Sequence, residues 1–200
     1  LGLDFFLTSH LKERNSEGEI IVWKDLYGGN LTDFNNFIYG SSRAWVHIDP
    51  FILEKKLGVP YYNLGANGQN FTVQKFRHDE LEQRTEIKSI IYSVDIFTLS
   101  SSDYIYDYYQ FLPFMLWKDN GIRDFLYPYG YYNQLDFYLP LARYYGHRKL
   151  MSKIFFKEDL NFPARIRGYK VRYKLWNKEL QNTLKYEETI NIMIEDNILQ

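Results

Sequence analysis

The strongest constraint on this chain is an alternation of short apolar runs with helical patterns between residues 35 and 99. In order, the predicted elements are a strand at 35–40, a helix at 51–57, a strand at 60–64, a helix at 69–84 and a strand at 87–99. Strands that alternate with helices favour an α/β fold, in which right-handed crossovers build a parallel sheet. Because the last run is nearly continuously apolar, we expect its strand to be buried on both faces.

The two predicted helices have recognisable local signals. Asp49 can act as the N-cap of the first, Pro50 suits its first helical position, and Gly58 follows its last residue. The second has an apolar side that we expect to face inward, formed by Phe71, Val73, Phe76 and Leu81.

We expect a single domain of residues 1–200, with an α/β core at 20–99. The short apolar run Ile20–Trp23 predicts a further strand in that core. Residues 100–150 are aromatic and interrupted by proline and glycine, which predicts short helices and loops in an insertion or lid. An independent helical subdomain on the far face is the alternative. Residues 151–200 predict a linker and a helix at 177–196.

Composition narrows the range of functions. The absence of cysteine excludes disulfides, thiolate zinc sites and a cysteine nucleophile. Lys+Arg is 24 and Asp+Glu is 25, so the basic excess of a nucleic-acid-binding protein is missing. Apolar runs are too short for a transmembrane helix. The 19 tyrosines suit an aromatic cleft for sugars or peptides, although a tyrosine-rich core and surface would also account for them.

A turn rich in polar residues or glycine follows each of the three predicted strands. Ser41 and Ser42 follow the first, Gly65-Ala66-Asn67-Gly68 follows the second, and Asp95 lies at the end of the third, within the 87–99 run. Because the carboxyl ends of parallel strands meet at one edge, these turns should converge. A serine there is well placed as a nucleophile, with backbone N–H groups for an oxyanion. Alternatively, the serines and the aspartate only cap turns or helices.

Three segments at these turns together resemble a known family. FIYGSSRAW, YNLGANGQNF and IIYSVDIFTL are similar, in order and spacing, to the first three blocks of SGNH/GDSL-type hydrolases. The likeness is closest to SGNH-like envelope proteins of Bacteroidetes and covers roughly residues 20–150, through QFLPFMLW to LARYYG.

The resemblance implies a flavodoxin-like, three-layer α/β/α sandwich that is incomplete at its C-terminus. It makes Ser42 the nucleophile and an oxyanion donor, and Gly68 a second oxyanion donor. It implies an exported protein of the cell envelope or periplasm, with a possible membrane anchor outside this chain. We expect no cofactor and no metal. From the same turns we predict three substrate-binding residues, Arg43, Asn67 and Asp95.

Two features of the family are missing from this sequence. The family's third block supplies an Asn side chain, but the corresponding stretch here is Ser93-Val94-Asp95. The family's last block is Asp-x-x-His, yet none of the thirteen Asp residues is followed by His three places on. We expect the chain to be truncated, with the remaining strands and the histidine beyond it. The alternative is that His147 reaches the site from the lid.

Three functions remain open. The first is a serine esterase or O-acyltransferase-like protein acting on acylated envelope glycans, inactive or nearly so as this fragment. The second is a non-catalytic carbohydrate-binding or structural envelope protein. The third is phosphate or sulfate binding beside Arg43. In the strand order that the family implies, the first strand lies between the second and the third, and a fourth strand pairs with the third. Because we expect the fourth strand to lie beyond this chain, the third strand should form an edge that makes the protein dimerise or aggregate, or that is covered by residues 150–200.

Overall fold

The computed structural model describes residues 2–13, 19–95, 98–99, 104–116, 121–147, 151–152 and 165–171. Its α-helices are α1 (Gly2–Glu13), α2 (Glu19–Tyr27), α3 (Ser42–His47), α4 (Pro50–Leu57), α5 (Phe71–Glu82) and α6 (Ile122–Leu126). Its strands are β1 (Asn36–Gly40), β2 (Tyr62–Asn63) and β3 (Ser89–Ser93). Within these ranges, 3₁₀ helices lie at Tyr108–Phe114, Tyr127–Tyr129, Gln134–Phe137 and Ala142–Tyr144.

The three strands form one parallel sheet in the order β2-β1-β3. Phe37 lies opposite Tyr62 in β2 and Ile90 in β3. All five residues of β1 are buried, as expected for a central strand with neighbours on both sides. The α/β class and the central position of β1 are therefore confirmed.

The predicted caps explain where α4 begins and ends. The Asp49 carboxylate accepts hydrogen bonds from the N–H groups of Phe51 (2.8 Å) and Ile52 (3.4 Å), and Gly58 ends the helix at a φ of 74°. Asn70 caps α5 by accepting from the Val73 N–H at 3.2 Å. Both helices form close to the predicted ranges because their boundary signals are local.

Two strand predictions are wrong. Ile20–Trp23 lies in helix α2, whose apolar residues are buried on several sides; a short apolar run does not distinguish a buried helix from a strand. Strand β3 is shorter than the 87–99 run and is not buried on both faces, because Ile90 is 44% exposed. Among the described residues β3 pairs only with β1, so it lies at an edge of the sheet.

The aromatic segment packs into the same core as the first helices. Phe111 contacts Trp23 of α2, with ring centroids 5.0 Å apart, and Phe125 stacks on Phe76 of α5 at 4.2 Å. Most of the segment therefore supports α2 and α5. Only its first described residues, Tyr104 and Tyr106, reach the carboxyl ends of the strands.

Residues 165–171 border the edge of the sheet formed by β2. The Asn63 N–H donates to the Arg167 carbonyl, and the Lys170 N–H donates to the Trp45 carbonyl, each at 2.9 Å. This short segment lies at the β2 edge. The predicted helix at 177–196 and the rest of the expected cover over β3 lie outside the described residues. Within the described part of the chain, none of the helices is long and apolar enough to span a membrane.

Candidate active site

The turns that follow the three strands enclose a cavity of about 420 Å³. It is lined by Ser41, Ser42, Arg43, Asn67, Gly68, Gln69, Asn70, Asp95, Tyr104 and Tyr106. All five residues predicted for the site line this cavity, although they come from three separate turns. The parallel sheet brings them together, because each turn follows the carboxyl end of its strand.

The first turn is compact because Gly40 lacks a side chain. A Cβ at this position would lie 2.7 Å from the Ala44 Cβ and 2.8 Å from the Ser93 Cβ, and the φ of 147° is one that L side chains rarely adopt. Helix α3 therefore begins directly after β1. Ser41 is its N-cap and Ser42 its first residue.

The second turn approaches the aromatic segment closely at Gly68. This glycine has a φ of 61°, and a Cβ would lie 2.5 Å from the Tyr106 ring. The Asn67 side chain donates to the Tyr106 hydroxyl at 3.2 Å. Tyr104 and Tyr106 are 56% and 40% exposed, so they present aromatic surface at the cavity wall.

Three buried charged side chains form hydrogen bonds with the backbone of the second turn. Arg77 donates to the Leu64 carbonyl at 2.7 Å, Arg165 donates to the Gly65 carbonyl at 3.1 Å, and Glu19 accepts from the Asn67 N–H at 2.8 Å. The side chains of Arg77, Arg165 and Glu19 are at most 3% exposed. We call these three residues the buried anchor.

Burial shifts the pKa of every member of the buried anchor. It lowers the pKa of Arg77 and of Arg165 to about 10, and it raises the pKa of Glu19 above its usual range. The Arg165 and Glu19 side chains form an ion pair at 3.7 Å, which offsets part of these shifts. Both arginines keep their charge at neutral pH and can hold the two carbonyls.

The buried anchor was not recognised in the sequence. Arg77 belongs to the run Arg77-His78-Asp79-Glu80, which has the composition of a solvated helix face. In the structure Arg77 is fully buried and stacks over Trp23, with the guanidinium carbon 5.0 Å from the ring centroid. No local signal distinguishes it from exposed charges, since its partners lie in other elements.

Asp95 connects the third turn to the first. The Ser41 hydroxyl donates a hydrogen bond to the Asp95 carboxylate, and the Arg43 N–H donates to the same Ser41 oxygen at 3.3 Å. Asp95 is further held by Thr98, whose hydroxyl accepts from the Asp95 N–H at 3.0 Å. Among the described residues, none forms a hydrogen bond with the Ser42 hydroxyl.

All four histidines are described, and none of them lines the cavity. His10 contacts the Phe6 carbonyl, His47 the Arg43 carbonyl, and His78 the Tyr39 hydroxyl, at 2.9–3.2 Å. His147 lies among tyrosines, with its ring 5.0 Å from that of Tyr109, and burial lowers its pKa. His147 therefore does not reach the site from the lid.

Comparisons of the chain with protein-family models, with curated proteins and with solved structures found no match. Over the residues that the structure describes, no group of three or more His, Asp or Glu side chains could hold a metal ion.

Proposed function

We propose that the cavity is the ester-binding site of an SGNH-type serine esterase or O-acyltransferase-like protein. The single observation that supports this most directly is the meeting of Ser42, Gly68 and Asp95 in one cavity, each after a different parallel strand. Ser42 attacks the acyl carbonyl, and the N–H groups of Ser42 and Gly68 stabilise the oxyanion. The three-layer sandwich of that family is part of this proposal.

The chemistry of the cavity wall favours an acylated sugar as substrate. Side-chain amides at Asn67 and Asn70 can exchange hydrogen bonds with sugar hydroxyls, while Tyr104 and Tyr106 offer apolar ring surface. Such a mixture of planar polar groups and aromatic rings suits a sugar, because a sugar ring is polar at its edge and apolar on its faces. We propose an O-acylated glycan of the cell envelope.

Turnover at Ser42 by the mechanism of the family needs a histidine, and none of the four described histidines lines the cavity. A serine hydroxyl becomes an effective nucleophile when a histidine accepts its proton, and all four histidines lie elsewhere. We therefore expect these 200 residues to bind the ester with little turnover at Ser42. A histidine from outside them would be needed for full activity.

A second function is favoured by the same positions of the histidines. The cavity can bind the glycan without reacting with it, as a carbohydrate-binding or structural envelope protein would. In that case Ser42 contributes a hydroxyl to binding.

The test combines binding with acyl release. The protein at its natural length is mixed with an O-acetylated oligosaccharide and with its de-acetylated form, and binding is followed by ligand-observed NMR while free acetate is quantified. Acetate release that disappears in Ser42→Ala supports the enzyme. Binding without release in either protein supports the second function. If the oligosaccharide does not bind, both are wrong.

A further inference from the structure

We infer that Ser41 and Asp95 form a nucleophile–base pair that gives these 200 residues an acyl-transfer activity without histidine. The inference rests on the proposed function, since it concerns an ester bound in the same cavity. The inference differs from the proposed function in the reacting hydroxyl, which is that of Ser41, and in the base, which is the Asp95 carboxylate.

The hydrogen bonds of Ser41 exceed what an N-cap requires. A serine N-cap accepts from a backbone N–H, as Ser41 does from Arg43. Ser41 in addition donates its proton to a carboxylate oxygen of Asp95. This bond aligns the hydroxyl proton with the group that would accept it, which is the geometry that general-base catalysis needs.

The surroundings of the Ser41 oxygen favour negative charge on it. The Arg43 N–H points at the oxygen and stabilises charge that develops there as the proton leaves. One lone pair of the oxygen accepts that N–H, and the other remains for attack. Ser41 lines the cavity and is only partly buried, so an ester bound there can reach it.

In the proposed reaction, each proton moves only between Ser41, Asp95 and the substrates. The Ser41 oxygen bonds to the acyl carbon while its proton moves to Asp95. The bond between the acyl carbon and the sugar oxygen then breaks, and Asp95 returns the proton to that oxygen. Water, or a hydroxyl of a second sugar, next attacks the acyl-serine and gives its proton to Asp95. The Ser41 oxygen leaves and takes this proton back.

Ser42 does not have such a partner within the described residues, and the four histidines are engaged elsewhere. The two neighbouring serines therefore differ in the one property that reactivity needs. We expect Ser41 to be the reactive hydroxyl of these 200 residues.

The experiment is labelling of the 200-residue protein with a fluorophosphonate, followed by peptide mapping. Trypsin cleaves after Lys24 and Arg43, so both serines fall at the end of peptide 25–43, which finishes Ser41-Ser42-Arg43. The two-residue C-terminal fragment ion carries the added mass only when Ser42 is modified. When Ser41 is modified, the two-residue ion lacks the added mass and the three-residue ion carries it. This assignment of the labelled serine uses the wild-type protein, so it does not depend on whether a variant folds.

The role of Asp95 is tested by Asp95→Asn, with Asp124→Asn as the matched control because Asp124 is exposed and outside the cavity. We expect labelling of Ser41 to slow by about 100-fold or more in Asp95→Asn, the lower range of a lost general base. The control should label at the wild-type rate. Thermal melting of each variant shows whether it is folded.

The Ser41–Asp95 proposal is wrong if the adduct forms on Ser42 alone or on neither serine. It is also wrong if folded Asp95→Asn is labelled at the wild-type rate. These results are separate from the glycan experiment. Labelling of Ser41 without glycan binding would support the Ser41–Asp95 pair and show that the glycan is not the ligand. Glycan binding without labelling would support the glycan as ligand and show that the pair is not reactive.

Discussion

Replacing Gly68 with alanine probes the close approach between the second turn and the ring of Tyr106. The new Cβ would lie 2.5, 2.7 and 2.9 Å from three carbons of the Tyr106 ring, against about 3.5–4.0 Å for ordinary carbon contacts. The ring must therefore move by about 1 Å, and overpacking of this kind costs about 1–3 kcal/mol. The left-handed backbone at Gly68 adds about 1–2 kcal/mol for any L side chain. We expect Gly68→Ala to destabilise the fold by about 2–5 kcal/mol.

Gly130 provides the matched control, because its φ of 67° is close to the 61° of Gly68 and no atom lies within 4 Å of its would-be Cβ. Gly130→Ala should cost only the backbone part, about 1–2 kcal/mol. Urea unfolding followed by tryptophan fluorescence measures both free energies of unfolding. Tyr106→Ala completes a double-mutant cycle, in which the extra cost of Gly68→Ala should disappear. Equal losses for the two glycine variants, or an extra cost that persists without the tyrosine ring, would refute the contact.

Three further changes test the buried anchor and a helix cap. Arg77→Met should lower the free energy of unfolding by about 3–5 kcal/mol, because it breaks a buried charge cluster. Lys75→Met, on the exposed side of α5, should change it by about 0.5 kcal/mol or less. Similar losses for the two variants, measured by urea unfolding, would contradict the burial of Arg77. Because burial raises the pKa of Glu19, ionisation opposes folding, so stability falls as the pH rises from the ordinary glutamate range through the raised pKa. Glu19→Gln should remove that slope in unfolding curves taken across about pH 4 to 8, and an unchanged slope would exclude Glu19 as its source. Asp49→Ala should cost about 1 kcal/mol through loss of the α4 N-cap, and a loss under about 0.3 kcal/mol would show that the cap contributes little.

The parts of the fold that sequence could predict are those with local signals. Asp49, Pro50 and Gly58 determine the limits of α4 through contacts within a few residues, and the structure places the helix where these residues predicted it. The convergence of the three turns could also be predicted, because parallel pairing alone brings strand ends to one edge. Apolar runs were less informative: Ile20–Trp23 is equally compatible with a strand and with a buried helix, and packing on the core decides for the helix.

The chemistry of the candidate site depends on partners that are distant in sequence. Ser41 and Asp95 are 54 positions apart, and nothing near either residue indicates the bond between them. Arg77 and Arg165 look like ordinary surface charges in the sequence, yet both are buried against backbone carbonyls of the second turn. Such pairings arise only when the elements pack, so residue patterns along the chain do not reveal them.

The hydrogen bond from Arg165 to the Gly65 carbonyl has a consequence for how the protein is made. The two residues are 100 positions apart, so the contact closes a long loop. During synthesis β1, β2 and α5 leave the ribosome well before residue 165, and the cavity wall lacks this support in the meantime. Contacts of such long range are slow to form, and domains beyond about 100–150 residues commonly fold through intermediates. The cavity should therefore be the last part of the described structure to mature in a nascent chain, after the parallel sheet that supports it.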